Sequence, residues 1–387
     1  MNTAALCEWL ILIRREFHKC PELSGKEFMT TQKIVGVLEE LGVETRTLPD
    51  LTGTVGLIRG VNAERTIALR ADIDALPIDE MNDVPYRSLN TGVMHACGHD
   101  AHIAIMLGVA KAMIESRMPR ELHGNVKFLF QPSEEEHSGA RKMIEHEVLE
   151  YPHIDRIISG HVYPNIPTGV IGICPSVAHA AAVEFTLVIK GKAAHGARPQ
   201  ESIDPIVAGS YFVTAVQSII SRNIEPTQGA VITVGKFTAG NAANVIPENA
   251  EMEGTIRALT NEVMEQLVER VKIVAKGLEE TFDVRCQLTF HRTTPSCVND
   301  ETVASFLRKT AEDVVGHDNV RLLGPSMGTD DFAFFAMERP AATIRLGCGN
   351  PRKGNIHPLH SPQFDIDEDV LIIAVNIFLE AVRRYLY

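Results

Sequence analysis

Apolar positions recur every three to four residues through roughly 4–18 and again through 25–41, which predicts two amphipathic helices. Pro21 separates them, and Gly42 stands where a glycine commonly ends a helix. Two short apolar runs follow, TVGLIRG at 54–60 and TIALRA at 66–71, and read as strands. A helix is expected over 102–117, a strand VKFLFQ at 126–131, a helix near 138–149 and a strand RIISGHV at 156–162. Strands alternating with helices predict an α/β fold, with a mainly parallel sheet covered by helices on both faces.

Near residue 180 the pattern changes. AVEFTLVIKGK alternates like a half-buried strand, and a helix is expected over about 203–222. AVITVGKFTAG and ENAEMEGTIRA read as two more strands, 261–281 as a second helix, and VRCQLTFHR as a closing strand. That order fits a small α+β, ferredoxin-like sandwich. The α/β pattern resumes through 302–387. The expected organisation is a discontinuous domain, 1–179 and 292–387, interrupted by a compact insertion at 180–291.

Composition narrows the class. A chain of 387 residues with 45% hydrophobic content can fill more than one core. Its net charge of −13 and lack of a basic stripe argue against a nucleic-acid partner. Seven cysteines, an odd number without metal-knuckle spacing, fit free thiols in a reducing compartment. The N-terminal MNTAALCEWLILIRREFHKC lacks the basic start and cleavage site of a signal peptide. No run reaches the about 18 apolar residues of a membrane span. A soluble cytoplasmic protein with no membrane partner is therefore expected.

The densest chemical signal is HACGHDAH at 95–102. If this segment is extended, Cys97 and His99 face the same way and can reach one centre. A thiolate with an imidazole suits zinc or a neighbouring transition metal. The plainer reading is a helix start capped by Asp100, with incidental histidines. Three His, one Cys and one Asp within eight residues weigh against it.

In FLFQPSEEEHSGA at 128–140 an apolar strand runs into Glu134, Glu135 and Glu136. The carboxyl ends of strands are where α/β sheets place ligands. Neighbouring side chains diverge there, so one Glu can bind metal while the next acts as general base. An acidic helix N-terminus would explain the same run. His161 ends an apolar strand, and His360 lies in the Pro-bounded loop NIHPLHSPQF; alone, each is more often structural. Asp74, in LRADIDALP, could take the second N–H of a ligating imidazole, or serve only as a turn residue.

In this order, these segments resemble the metallopeptidase family of carboxypeptidase G, aminoacylases and related dipeptidases, in its hippurate hydrolase and indole-acetyl-amino-acid hydrolase branch. The matches are FHKCPELSGKE, LRADIDALP, MHACGHDAH, FQPSEEE, GHV, GKAAHGARP, NVIPENAEMEGTIR, MGTDDF and LHSPQF, spread over nearly the whole chain. The resemblance implies two divalent ions (Zn, Mn, Co or Ni) held by Cys97, His99, Glu135, His161 and His360, with Cys97 bridging. It implies Glu134 as general base, His195 as a lid histidine reaching the partner subunit's active site, and Asn244 and Arg257 as substrate-binding residues. The insertion becomes a lid and dimerisation domain, and the protein a homodimer or a higher homo-oligomer built from one.

The reaction so implied is hydrolysis of the amide of an N-acyl amino acid, with dipeptidase or carboxypeptidase activity as the alternative. Three positions depart from the usual pattern: Ser133 and Glu136 replace Ala and Gly, and Asp330 replaces Glu. Two other classes fit parts of the sequence. A Cys97 nucleophile with His95 or His99 as base leaves the Glu pair and His161 unused. A non-enzymatic metal sensor would be expected to lose a base or ligand, and none is lost.

Overall fold

Helix α1 (Thr3–Lys19) carries Leu6, Leu10, Ile13 and Phe17 along one stripe, and all four are buried. Each such side chain contributes about 1.5–3 kcal/mol of burial free energy. Helix α2 (Phe28–Glu40) ends as the glycine predicts. Gly42 takes φ +75°, its N–H donates to Glu39 O at 2.9 Å, and the Val43 N–H donates to Leu38 O at 2.9 Å. That double closure is a Schellman motif. The computed structural model describes residues 3–62 and 65–387.

The following strands are β1 (Glu44–Leu48), β2 (Leu51–Arg59), β3 (Thr66–Asp72), β4 (Asn125–Gln131), β5 (Arg156–Pro167) and β6 (Ile171–Ile173). Their intervening helices are α3 (His99–Glu115) and α4 (Gly139–Glu145). A second block supplies β7 (Ala181–Lys190), α5 (Pro205–Asn223), β8 (Ala230–Ala239), β9 (Asn249–Ala258), α6 (Asn261–Phe282) and β10 (Arg285–Thr294). The chain ends with α7 (Glu301–Val315), β11 (Val320–Leu322), α8 (Phe332–Glu338), β12 (Ala341–Gly349) and α9 (Asp369–Leu386).

Two compact units result. One holds residues 1–178, 298–324 and 330–387; the other holds 179–297 and 325–329. The sequence boundary at 291 stops short, because β10 continues to Thr294. The five-residue return at 325–329 leaves no periodicity to read.

Among the described residues, the first unit contains an eight-stranded sheet in the order β1-β2-β4-β3-β5-β12-β6-β11. Its centre is parallel, β4 to β3 to β5 to β12. The sheet is mainly parallel, as expected, and mixed: β1–β2 and β2–β4 at one edge, and β12–β6, are antiparallel. Only two residues separate β1 from β2, and so short a turn cannot make a parallel crossover. Asp50, in that turn, takes φ +56°. Every residue of β3 and β4 is buried. Helix α3 is buried along most of its length, and Gly108 lets its neighbours come close. A Cβ there would lie 2.4 Å from Leu10 Cδ2 and 3.0 Å from Val375 Cγ2 of α9.

The second unit is an antiparallel sheet in the order β8-β9-β7-β10. Phe185, Leu187 and Met252 from its strands pack with Phe212 of α5 and Leu267 of α6. Asp204 caps α5 ahead of Pro205, and Thr260 caps α6. Among the described residues, no helix is long and apolar enough to cross a membrane.

Candidate metal centre and active site

The site lies in the first unit, where β3, β4 and β5 hand over to their loops. His99 opens α3, so the segment from Cys97 to His99 is not extended, contrary to the alternation argument. Gly98 instead turns it through φ +85°, and a Cβ at Gly98 would lie 2.3 Å from Val162 Cγ2. Glycine is therefore required for both conformation and space. The turn brings Cys97, His99 and His161 together, with their ligand atoms within 4.8 Å of one another.

Asp100 does not cap the helix. Buried in the first turn, it sits 2.7 Å from Arg14 Nε and 2.7 Å from His18 Nδ1. His161 sits within β5 rather than at its end, because the strand runs on to Pro167.

The other ligand-type residues arrive on loops. The N–H of His360 donates to Ala96 O at 2.9 Å, which ties the C-terminal loop to the Cys97 turn. Cys97, Glu135 and His360 form a second group within the same 4.8 Å limit. Cys97 belongs to both groups, as a bridging ligand would.

The turn carrying the three glutamates precedes α4, which starts only at Gly139, so these carboxylates are not a helix N-terminus. Glu27 holds this turn in place by accepting the Ser133 N–H at 2.8 Å and the Thr52 hydroxyl at 2.6 Å. Glu134 and Glu135 then diverge. Glu134 Oε2 lies 4.0 Å from His99 Nε2 and is grouped with Asp330 and Asp331. Glu135 Oε1 lies 3.9 Å from His99 Nε2 and 3.6 Å from His360 Nε2. Glu136 is exposed.

Lone pairs are aimed into this centre. His99 Nδ1 faces only acceptors, Asp74 O at 2.9 Å and Asp74 Oδ1 at 3.2 Å, so it carries the proton. His99 Nε2 is buried without a hydrogen-bond partner, and so is Glu135 Oε1. His161 Nδ1 donates to Val162 O at 2.8 Å, which leaves Nε2 to accept from the Cys97 thiol at 3.3 Å. Asp74 also accepts the Glu135 N–H at 3.0 Å and the Ser24 hydroxyl at 2.7 Å. It therefore braces both a histidine and a carboxylate.

The electrostatics call for positive charge. Burial, with Glu135 and Glu134 alongside, pushes the Cys97 thiol well up. Burial raises Glu134, with Asp330 adding to the effect, and pushes Glu135 up to about 7. Burial would lower His99, yet Asp72 and Asp74 push it up to about 10. Without a metal, a proton on His99 stands where a cation belongs. A thiol, imidazoles and a carboxylate, with unpartnered lone pairs on His99 and Glu135, fit a pair of borderline divalent cations.

A pH dependence follows for the metal-free protein. Burial and Asp330 push Asp331 up to about 7, against Arg70. Carboxyls raised in this way, Glu135 included, stabilise the fold below their unfolded values of 4.5 and 3.8 and lose that contribution as pH rises through about 7. His99 acts in the same direction, contributing fully below 6.5 and losing its share as pH rises to about 10. Urea unfolding in chelator should therefore give a lower midpoint at pH 9 than at pH 6. A midpoint that rises over this range would contradict these assignments.

Sequence reasoning missed the supports. Arg70 is buried, and contacts Asp72 at 2.6 Å, Asp330 at 3.2 Å and Asp331 at 3.3 Å. Asp331 accepts Gln131 Nε2 at 2.6 Å and the Ala140 N–H at 3.0 Å. An Arg in the otherwise apolar run TIALRA was the available signal.

His195, Asn244 and Arg257 belong to the second unit. His195 is exposed in a two-residue strand opposite Val245, and the Gly196 N–H donates to Asn244 O at 2.8 Å. Arg257, on β9, donates to Met327 O at 2.7 Å and Thr329 Oγ1 at 3.1 Å.

Residues 68–384 match the family model described as peptidase family M20/M25/M40. The chain belongs to this family. It is 37% identical over 388 residues to an N-acetyl-L-cysteine deacetylase of Bacillus subtilis, a match covering 100% of this chain and 90% of that protein. To thermostable carboxypeptidase 2 of Saccharolobus solfataricus it is 36% identical, covering 94% of this chain and 92% of that one. A solved Bacillus subtilis structure, described as a dinuclear metal binding peptidase of the family, superposes with a TM-score of 0.85 at 34% identity, covering 99% of both chains. An amide-cleaving hydrolase on an α/β fold, as the motifs implied, is what this M20/M25/M40 member is.

Proposed function

We propose that the protein hydrolyses N-acyl amino acids, N-acetyl or N-benzoyl among them, to a carboxylic acid and a free amino acid. It would do so with two divalent ions, Zn, Mn, Co or Ni, held by Cys97, His99, Glu135, His161 and His360. The observation carrying this reading is the convergence of those five side chains, with unpartnered lone pairs on His99 Nε2 and Glu135 Oε1, beside a sixth group, Glu134, whose proton affinity is raised.

Bound there, the two ions would polarise the scissile carbonyl and bring the pKa of water to about 7. Glu134 takes a proton from the attacking water and passes it to the leaving amine. His195 contributes through its other nitrogen. The Ala197 N–H donates to His195 Nδ1 at 3.0 Å, so the neutral ring carries its proton on Nε2, the right sense to stabilise an oxyanion. Arg257 and Asn244 bind the substrate; the Arg257 guanidinium keeps N–H groups beyond the Nη1 engaged by Met327 and Thr329. An anionic substrate suits the net positive centre that two cations make. Free cysteines support a cytoplasmic location.

The Saccharolobus relative's name supports a second reading, carboxypeptidase or dipeptidase action at the same centre. A panel of N-acetyl and N-benzoyl amino acids, dipeptides and longer peptides, assayed with each metal, separates them. The first reading expects the N-acyl amino acids to have the highest kcat/KM. A preference for dipeptides or longer peptides would overturn the substrate assignment in favour of the second.

The protein acts as a homodimer, with the second unit, residues 179–297 and 325–329, as lid and contact domain. His195→Ala and Glu134→Gln proteins should each be nearly inactive. Mixed and re-associated, they should regain about a quarter of wild-type activity, given random exchange and independent sites. No recovery despite proven exchange would remove His195 from the partner's site.

A further inference from the structure

His102 and Asp72 lie beside the centre with no part in the chemistry above. With His99 they form another group whose ligand atoms lie within 4.8 Å, so His102 could be read as a metal ligand. Its hydrogen bonds argue otherwise. The Val162 N–H donates to His102 Nε2 at 3.0 Å, so that nitrogen bears a lone pair, already used. The ring proton therefore sits on Nδ1, 2.5 Å from Asp72 Oδ1. Asp72 is fixed in turn by Arg70 Nη1 at 2.6 Å. Both nitrogens of His102 are spent.

The peptide that His102 holds is the one that aims His161. The Val162 carbonyl accepts His161 Nδ1 at 2.8 Å, and His161 Nε2 then faces Cys97 Sγ at 3.3 Å. The two imidazole rings also pack edge to face, with centroids 4.6 Å apart and 67° between planes. On one side Val162 stays in register with Leu346 of β12, so it is only the β3 side of this peptide that the sheet leaves to His102. Pairing of β5 with β3 extends only as far as Ser159, three residues before Val162.

We propose that His102 is a positioning residue: as the Nδ1–H tautomer it pins the Val162 peptide and thereby orients His161 towards the metal. The chain Arg70–Asp72–His102–Val162–His161 connects a buried ion pair to a ligand without touching substrate. This inference rests on the metal reading of the site.

Two substitutions separate its halves. Glutamine at 102 places an amide oxygen near the former Nε2 and can accept the Val162 N–H. Asparagine reaches only as far as Nδ1, and keeps the contact with Asp72 alone. Metal-free wild type, His102→Gln and His102→Asn are titrated with Mn²⁺ against a chelating indicator. His102→Asn should bind Mn²⁺ about 10–100-fold more weakly, the usual cost of losing a group behind a ligand. His102→Gln should stay within about threefold of wild type. Equal losses in both variants, or no loss in His102→Asn, would overturn the proposal.

Should the asparagine variant not fold, wild-type protein carrying ¹⁵N-labelled histidine decides, with His102→Gln identifying the resonance. An Nδ1–H ring supports the proposal and an Nε2–H ring overturns it. Wild type that binds no Mn²⁺ would instead bring down the metal reading, and this inference with it.

Discussion

Glu134→Gln protein is expected to keep its full complement of metal and to lose kcat by about 10²–10⁴-fold, the usual contribution of a general base. Glu135→Gln should instead lose metal. The two residues are adjacent in sequence and nearly equidistant from His99 Nε2, at 4.0 and 3.9 Å, so distance alone does not divide their roles. Their other neighbours do. Glu135 shares a ligand-sized group with Cys97 and His360, and its Oε1 has no hydrogen-bond partner. Glu134 is grouped instead with the carboxylates Asp330 and Asp331, away from Cys97 and His360; burial raises the proton affinity of both glutamates, so it is this company that leaves Glu134 as the proton carrier. Exposed Glu136 serves as control, and Glu136→Gln should change neither quantity. Metal lost from Glu134→Gln and kept by Glu135→Gln would reverse the two assignments.

Arg70→Met should lower stability by about 3–5 kcal/mol, because it leaves buried carboxylates uncompensated. Asp72, Asp330 and Asp331 all lie within 3.3 Å of the guanidinium, and Arg70 Nε also donates to Gln131 Oε1 at 2.8 Å. Methionine fills part of the volume but supplies neither charge nor donors. The contrast is Arg59→Met. Arg59 meets Glu44 at 3.0 Å with both side chains more than half exposed, so about 1 kcal/mol or less is expected. Urea unfolding of both variants at pH 7 measures the difference. Equal, small shifts in midpoint would show that the buried cluster tolerates loss of its cation.

Much of this was legible in the sequence, because apolar periodicity reports burial directly. Leu6, Leu10, Ile13 and Phe17 predict α1 almost to the residue, and VKFLFQ reads as a strand, which the fold buries on both faces. The ligand-type residues were legible as chemistry rather than geometry. Cys97 and His99 do converge, but through a left-handed glycine and a helix start, not through strand alternation. Periodicity cannot see such a turn.

Long-range partners were invisible. Arg70 meets residues 260 and 261 positions away, and Arg14 meets Asp365 across 351. One-dimensional spacing carries no trace of these pairs, although a buried Arg in a strand had to find carboxylates somewhere. Asp100 was open to misreading for the same reason. Aspartate near a helix start ordinarily caps, and only the fold reveals Arg14 and His18 behind it.

The central claim is that catalysis here depends on two divalent ions held by Cys97, His99, Glu135, His161 and His360. Elemental analysis of fully loaded protein, paired with N-acetyl amino acid hydrolysis before and after chelation, tests it most directly. About two ions per chain are expected, with activity lost on chelation and restored when metal is returned. Full activity in protein containing essentially no metal would contradict the claim.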